Sequence, residues 1–108
     1  MASHYYSYNI NGNMGLVVGA TYGNEIKIVR AACPDVPFLL PGVGAQKGDI
    51  KEALRSGIDQ YGRGLIINSS RSIIYASSGL DFAEAARFQA LNFNSMVDFN
   101  LGILGKEW

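Results

Sequence analysis

The stretch Phe38-Leu39-Leu40-Pro41-Gly42-Val43-Gly44-Ala45-Gln46 decides how this chain folds. Its first three residues are apolar without alternation, which reads as a strand covered on both faces, as the strands of parallel sheets are. A proline and two glycines end that strand. Beyond them, Ile50, Ala53, Leu54 and Ile58 recur at helical spacing, with Asp49 near the start and Gly57 and Gly62 near the end.

The same order of elements repeats on either side. Upstream, Leu16-Val17-Val18-Gly19-Ala20 is an apolar run followed by Ile26, Val29 and Cys33 on one helical face. Thr21 or Asn24 is placed to cap that helix and Pro34 to stop it. Downstream, Leu65-Ile66-Ile67 precedes a stripe of Phe82, Ala86, Ala90, Phe93 and Val97, with Asp81 and Glu84 at capping-box spacing. Strands alternating with helices predict an α/β fold around a parallel sheet. Two architectures remain: an open doubly wound sheet, or an arc of a (β/α)₈ barrel, which takes about 250 residues when complete.

Composition narrows the classes. The 108 residues suffice for one modest core, and 48% of them are apolar. Nine basic side chains balance nine acidic ones, so no basic stripe predicts a nucleic-acid partner. No apolar run reaches the roughly 20 residues of a membrane helix, and Met1 to Asn13 lack the pattern of a signal peptide. A single cysteine, Cys33, allows no internal disulfide and suits a reducing cytoplasm. At the end of a helix it reads as a buried spacer. His4 has no metal-ligand spacing around it, and no metal is expected.

Chemistry in both α/β architectures sits at the C-terminal ends of the strands. Gly42, Gly44 and Gly48 lie between a strand and a helix, where backbone N–H groups can approach an anion and the helix terminus adds positive potential. Gln46 adds an uncharged donor. After the third strand, Asn68-Ser69-Ser70-Arg71 supplies hydroxyls and a guanidinium able to grip phosphate oxygens in pairs. The glycine spacing is not that of the dinucleotide fingerprint, and no acidic residue follows at the required place. A solvated arginine and a plain chain reversal are the bland alternatives.

These residues also carry a family likeness. Val17 to Tyr22, Phe38 to Gln46 with Gly48-Asp49, and Leu65 to Arg71 with Ile74-Tyr75-Ala76 resemble the longer bacterial orotidine 5′-phosphate decarboxylases, in order, from about Gly15 to about Ala90. The resemblance implies a partial (β/α)₈ TIM barrel, about its last three strand-helix units. Residues 15–98 then form the C-terminal part of the decarboxylase domain, with a poorly matched segment at 1–14 and an apolar tail at 99–108. It also implies a cytoplasmic lyase that converts orotidine 5′-phosphate to UMP and carbon dioxide without a cofactor, homodimeric when complete. The phosphate would be held by Gly42, Val43, Gly44 and Gln46, and by Ser70 and Arg71, with Pro41 at the pocket rim.

The departures carry as much meaning. The family's catalytic lysines and aspartates include an Asp-x-Lys-x-x-Asp run, and this chain has none. Lys47 stands inside the phosphate loop, where relatives usually have glycine, and is not expected to be catalytic. The expected state is a piece of the enzyme, inactive by itself. Two alternatives are a non-catalytic phosphate-binding module and another sugar-phosphate barrel enzyme. Three strands of a barrel would also leave open edges, and Val17, Leu39, Ile66 or their neighbours against water.

Overall fold

In the computed structural model, residues 7–19, 23–42 and 47–108 are described. Seven elements follow one another: β1 (Leu16–Val17), α1 (Gly23–Ala32), β2 (Phe38–Leu40), α2 (Lys47–Gly57), β3 (Leu65–Ile67), α3 (Arg71–Ile74) and α4 (Phe82–Ile103). The three strands form one parallel sheet in the order β1-β2-β3. Register pairs Val17 with Leu39 and Leu39 with Ile66, so these three residues form one row across the sheet. Backbone bonds from Leu16 to Pro37, Val18 to Leu39, Phe38 to Gly64 and Asn68 to Leu40 carry the pairing beyond the short strands.

Strand periodicity divides the side chains between two faces. Phe38 and Leu40 point into a core built with Ile26, Cys33, Val36, Ile50, Ala53, Leu54, Val97 and Leu101. Leu16, Leu65 and Ile67 pack at its margin. The stripes expected of α1 and α2 are therefore the ones that cover the sheet, and Cys33 is buried as a spacer. The opposite face is different. Val17 is 72% and Ile66 59% exposed, and Leu39 is half-buried. The strands read as covered on both faces, yet among the described residues the helices cover one. The apolar row on the bare face is what made that reading, and its exposure matches the expectation for three strands out of a barrel.

Arginine joins the core at an unexpected place. Arg30, 8% exposed, donates Nε to the Gly57 carbonyl at 2.7 Å. Its other nitrogens reach the carbonyls of Cys33, Pro34 and Val36, and of Gly64 at 3.0 Å. The guanidinium carbon lies 3.7 Å from the centroid of the Phe38 ring. Burial pushes the Arg30 pKa down from its ordinary value, and Asp59 pulls it back up. One side chain thus ties the C-terminal ends of α1 and α2 to the segments entering β2 and β3. Gly64 must be glycine for this: its φ is +85°, and an added Cβ would stand 3.1 Å from an Arg30 nitrogen.

The last helix departs from its expected start. Asp81 has φ −85° and ψ 13°, outside the extended region a capping residue needs, and makes no side-chain cap. Its carboxylate accepts from the Ser77 hydroxyl instead, so the capping box with Glu84 does not form. Phe82 at the head of the expected stripe is exposed, Ala86, Ala90 and Phe93 are half-buried, and Val97 is buried. The helix runs on to Ile103, through the beginning of the apolar tail, and buries Leu101. Beyond it, the Trp108 indole N–H donates to the Gly62 carbonyl at 2.6 Å. Trp108→Phe, which keeps the ring and deletes the donor, is expected to lower stability by about 0.5–1.5 kcal/mol in urea unfolding. An unchanged midpoint would mean that the tail does not dock in solution.

Candidate functional site

Parallel strands in register bring their C-terminal ends to one edge of the sheet. Leu40 pairs with Ile67, so Pro41-Gly42 and Asn68-Ser69 leave the sheet side by side, about 4.8 Å apart at the strand spacing. The two segments singled out in the sequence are neighbours in space. Pro41 and Gly42 are both exposed there.

Gly42 has φ +76°, a left-handed conformation, and nothing lies within 4 Å of where its Cβ would be. Backbone conformation, not space, is therefore what requires glycine at this turn. Val43, Gly44 and Gln46, expected to hold phosphate, lie outside the described residues. The chain resumes at Lys47, which opens α2. In sequence, α2 begins directly after these residues.

At the neighbouring strand end, Ser70 occupies the cap position of α3, with φ −114° and ψ −67° and no side-chain cap. Its hydroxyl accepts from the Asn68 side-chain amide at 3.2 Å. Its carbonyl accepts from the N–H groups of Ile73 and Ile74 at 3.1 and 2.8 Å. The Ser69 and Ser72 hydroxyls bond each other at 2.6 Å. Arg71 is the first residue of α3, and its side chain is exposed. In helix geometry the N–H groups of Arg71 and Ser72 have no acceptor within the helix. Donors and a fixed cation therefore gather at the same sheet edge as the Gly42 turn. Sequence reasoning singled out Asn68–Arg71 but not Ser72, whose signal was its place three residues after Ser69, within reach of a short polar side chain.

Arg30 also lies near the sheet, but its donors are taken by backbone carbonyls at the end of α2 and at the entries to β2 and β3. It holds the fold and is not placed to meet a ligand at this edge. Among the described residues no group of His, Cys, Asp or Glu side chains could hold a metal ion. No described helix is long and apolar enough to cross a membrane.

No family model matches the chain. Individual proteins do. It is 60% identical over 90 residues to the orotidine 5′-phosphate decarboxylase of Polaromonas naphthalenivorans, covering 83% of this chain and 32% of that protein. With the decarboxylase of Ralstonia pickettii it shares 56% identity over 91 residues, 84% of this chain and 34% of that one. Its fold is similar to an OMP decarboxylase of Leishmania donovani, with a TM-score of 0.68, 36% identity, and coverage of 89% and 36%. It is also similar to a putative orotidine-monophosphate decarboxylase of Toxoplasma gondii, with a TM-score of 0.58 and 39% identity over 82% of this chain and 30% of that one. By sequence and by fold, this chain is a homologue of orotidine 5′-phosphate decarboxylases that spans about a third of the length of the curated relatives it matches.

Proposed function

We propose that this chain is the phosphate-holding part of an orotidine 5′-phosphate decarboxylase, an arc of a (β/α)₈ barrel comprising its sixth, seventh and eighth strands. In the complete cytoplasmic enzyme it would grip the 5′-phosphate of orotidine 5′-phosphate and of UMP, while residues on earlier strands release carbon dioxide. The observation that carries this reading is the 60% identity over 90 residues. A match of that length within 108 residues includes both Pro41–Gln46 and Asn68–Arg71. The side-by-side exit of the two segments supports it, because a phosphate between them would meet backbone donors from one and a guanidinium from the other.

Each residue then has a physical task. The Gly42 turn and the Gly44 backbone would let N–H groups approach the phosphate, and Val43 and Gln46 would line the same loop. Ser70 and Arg71 would donate from the other side, and Pro41 would shape the rim toward the pyrimidine. The second reading is a phosphate-binding module without catalysis.

Arg71→Ala tests the phosphate grip. In the segment completed to a whole decarboxylase, UMP affinity should fall by roughly 1.5–3 kcal/mol, the worth of a charge-assisted contact. Uridine, which lacks the phosphate, should bind as before. An equal loss for both ligands in calorimetry would make Arg71 a support of the fold and remove it from the site.

A further inference from the structure

Asn68 is hydrogen-bonded to both of the segments that leave the sheet at its C-terminal edge. Its backbone N–H donates to the Leu40 carbonyl at 3.2 Å. Leu40 is buried and closes β2, directly before Pro41 and the Gly42 turn. The Asn68 side-chain amide donates to the Ser70 hydroxyl oxygen at 3.2 Å. One residue therefore ties the root of the first loop through its backbone and the second loop through its side chain. The Ser70 carbonyl is held by other partners, the N–H groups of Ile73 and Ile74. Asn68 and Ser70 are both exposed, so this bond lies at the open edge and not in the core.

A hydroxyl has one proton to give and two lone pairs to offer. With the Asn68 amide on one lone pair, the Ser70 proton stays available to an acceptor, and accepting one bond strengthens the bond it donates. The neighbouring hydroxyls behave differently. Ser69 and Ser72 bond each other at 2.6 Å, so one of their two protons is used inside the loop.

We propose that Asn68 is a positioning residue for the phosphate of orotidine 5′-phosphate and UMP. Its backbone sets the separation of the two loops, and its side chain orients the Ser70 hydroxyl as a donor to a phosphate oxygen. Asn68 itself does not touch the ligand. The inference rests on the phosphate reading given under Proposed function and deepens it. The residue type suits the task. An amide can donate to Ser70 without placing a charge beside an anion, whereas a carboxylate of the same shape only accepts and would draw the Ser70 proton toward itself.

Binding of UMP and of uridine to the segment completed to a whole decarboxylase tests the role. Asn68→Ala keeps the backbone bond to Leu40 and deletes the side-chain bond. UMP affinity is expected to fall about five-fold, the effect of one neutral hydrogen bond, while uridine affinity stays within about two-fold. In a Ser70→Ala background the same substitution should change UMP affinity by less than about two-fold, because the hydroxyl it orients is gone. Asn68→Asp should weaken UMP more than alanine does and leave uridine unchanged. The proposal is overturned if Asn68→Ala leaves UMP affinity unchanged, or if its effect persists in full without the Ser70 hydroxyl. It is also overturned if UMP and uridine weaken equally, which marks a support of the fold. If the unsubstituted protein binds UMP no tighter than uridine, the phosphate reading itself fails, and the role of Asn68 falls with it.

Discussion

Arg30→Ala is expected to cost about 3–5 kcal/mol, the range for dismantling a buried, charge-assisted network. The carbonyls of Gly57, Cys33, Pro34 and Val36 lose this donor together, while that of Gly64 keeps the Phe38 N–H. Each buried carbonyl left unpaired costs about 1–3 kcal/mol, without simple additivity. The cation over the Phe38 ring is lost with them. Small domains have net stabilities of about 5–15 kcal/mol, so the variant should lose a large share of its stability and unfold at a much lower urea concentration. Arg30→Lys should fall between the two. An ammonium keeps the charge but cannot span acceptors that lie on both sides of a planar fork. A loss below about 1 kcal/mol for alanine would show that water satisfies these carbonyls and that the hub is not what joins the repeats.

The second large effect is an absence of rate. The chain alone should convert orotidine 5′-phosphate to UMP no faster than buffer does. Holding a phosphate equally in substrate and transition state lowers KM without accelerating the chemical step. Protonating the carbon left by carbon dioxide needs a positioned acid, worth about 10²–10⁴-fold by itself. The sequence has no Asp-x-Lys-x-x-Asp run to supply it. Lys47→Ala should accordingly change nothing in a sensitive assay of UMP formation. Product made by a highly purified sample and lost on that substitution would place the chemistry in this chain after all.

Much of the fold could be read from one dimension because burial leaves a period. Ile26, Val29 and Cys33, and then Ile50, Ala53 and Leu54, announced α1 and α2, and those residues do cover the sheet. The three apolar runs announced strands, and their order with the helices announced parallel pairing. The glycine turn and the Asn68–Arg71 segment could be found as strand-end loops, and Gly42 takes a left-handed φ there. Gln46, Val43 and Gly44 lie outside the described residues, so their roles rest on resemblance.

What the sequence by itself determined is therefore the local grammar: which segments are strands, which helical faces are apolar, and where the strand-end loops fall. Those properties depend on residues near one another along the chain. Only the tertiary structure decided the rest, because it depends on distant partners. Arg30 stands four residues after Ile26, on the buried side of α1, and periodicity marks that position as one for an apolar residue. The carbonyls that keep its charge inside, Gly57 and Gly64, lie 27 and 34 residues away. The same holds for the sheet. An apolar run says that both faces of a strand avoid water, and only the fold shows that one of them, through Val17 and Ile66, still meets it.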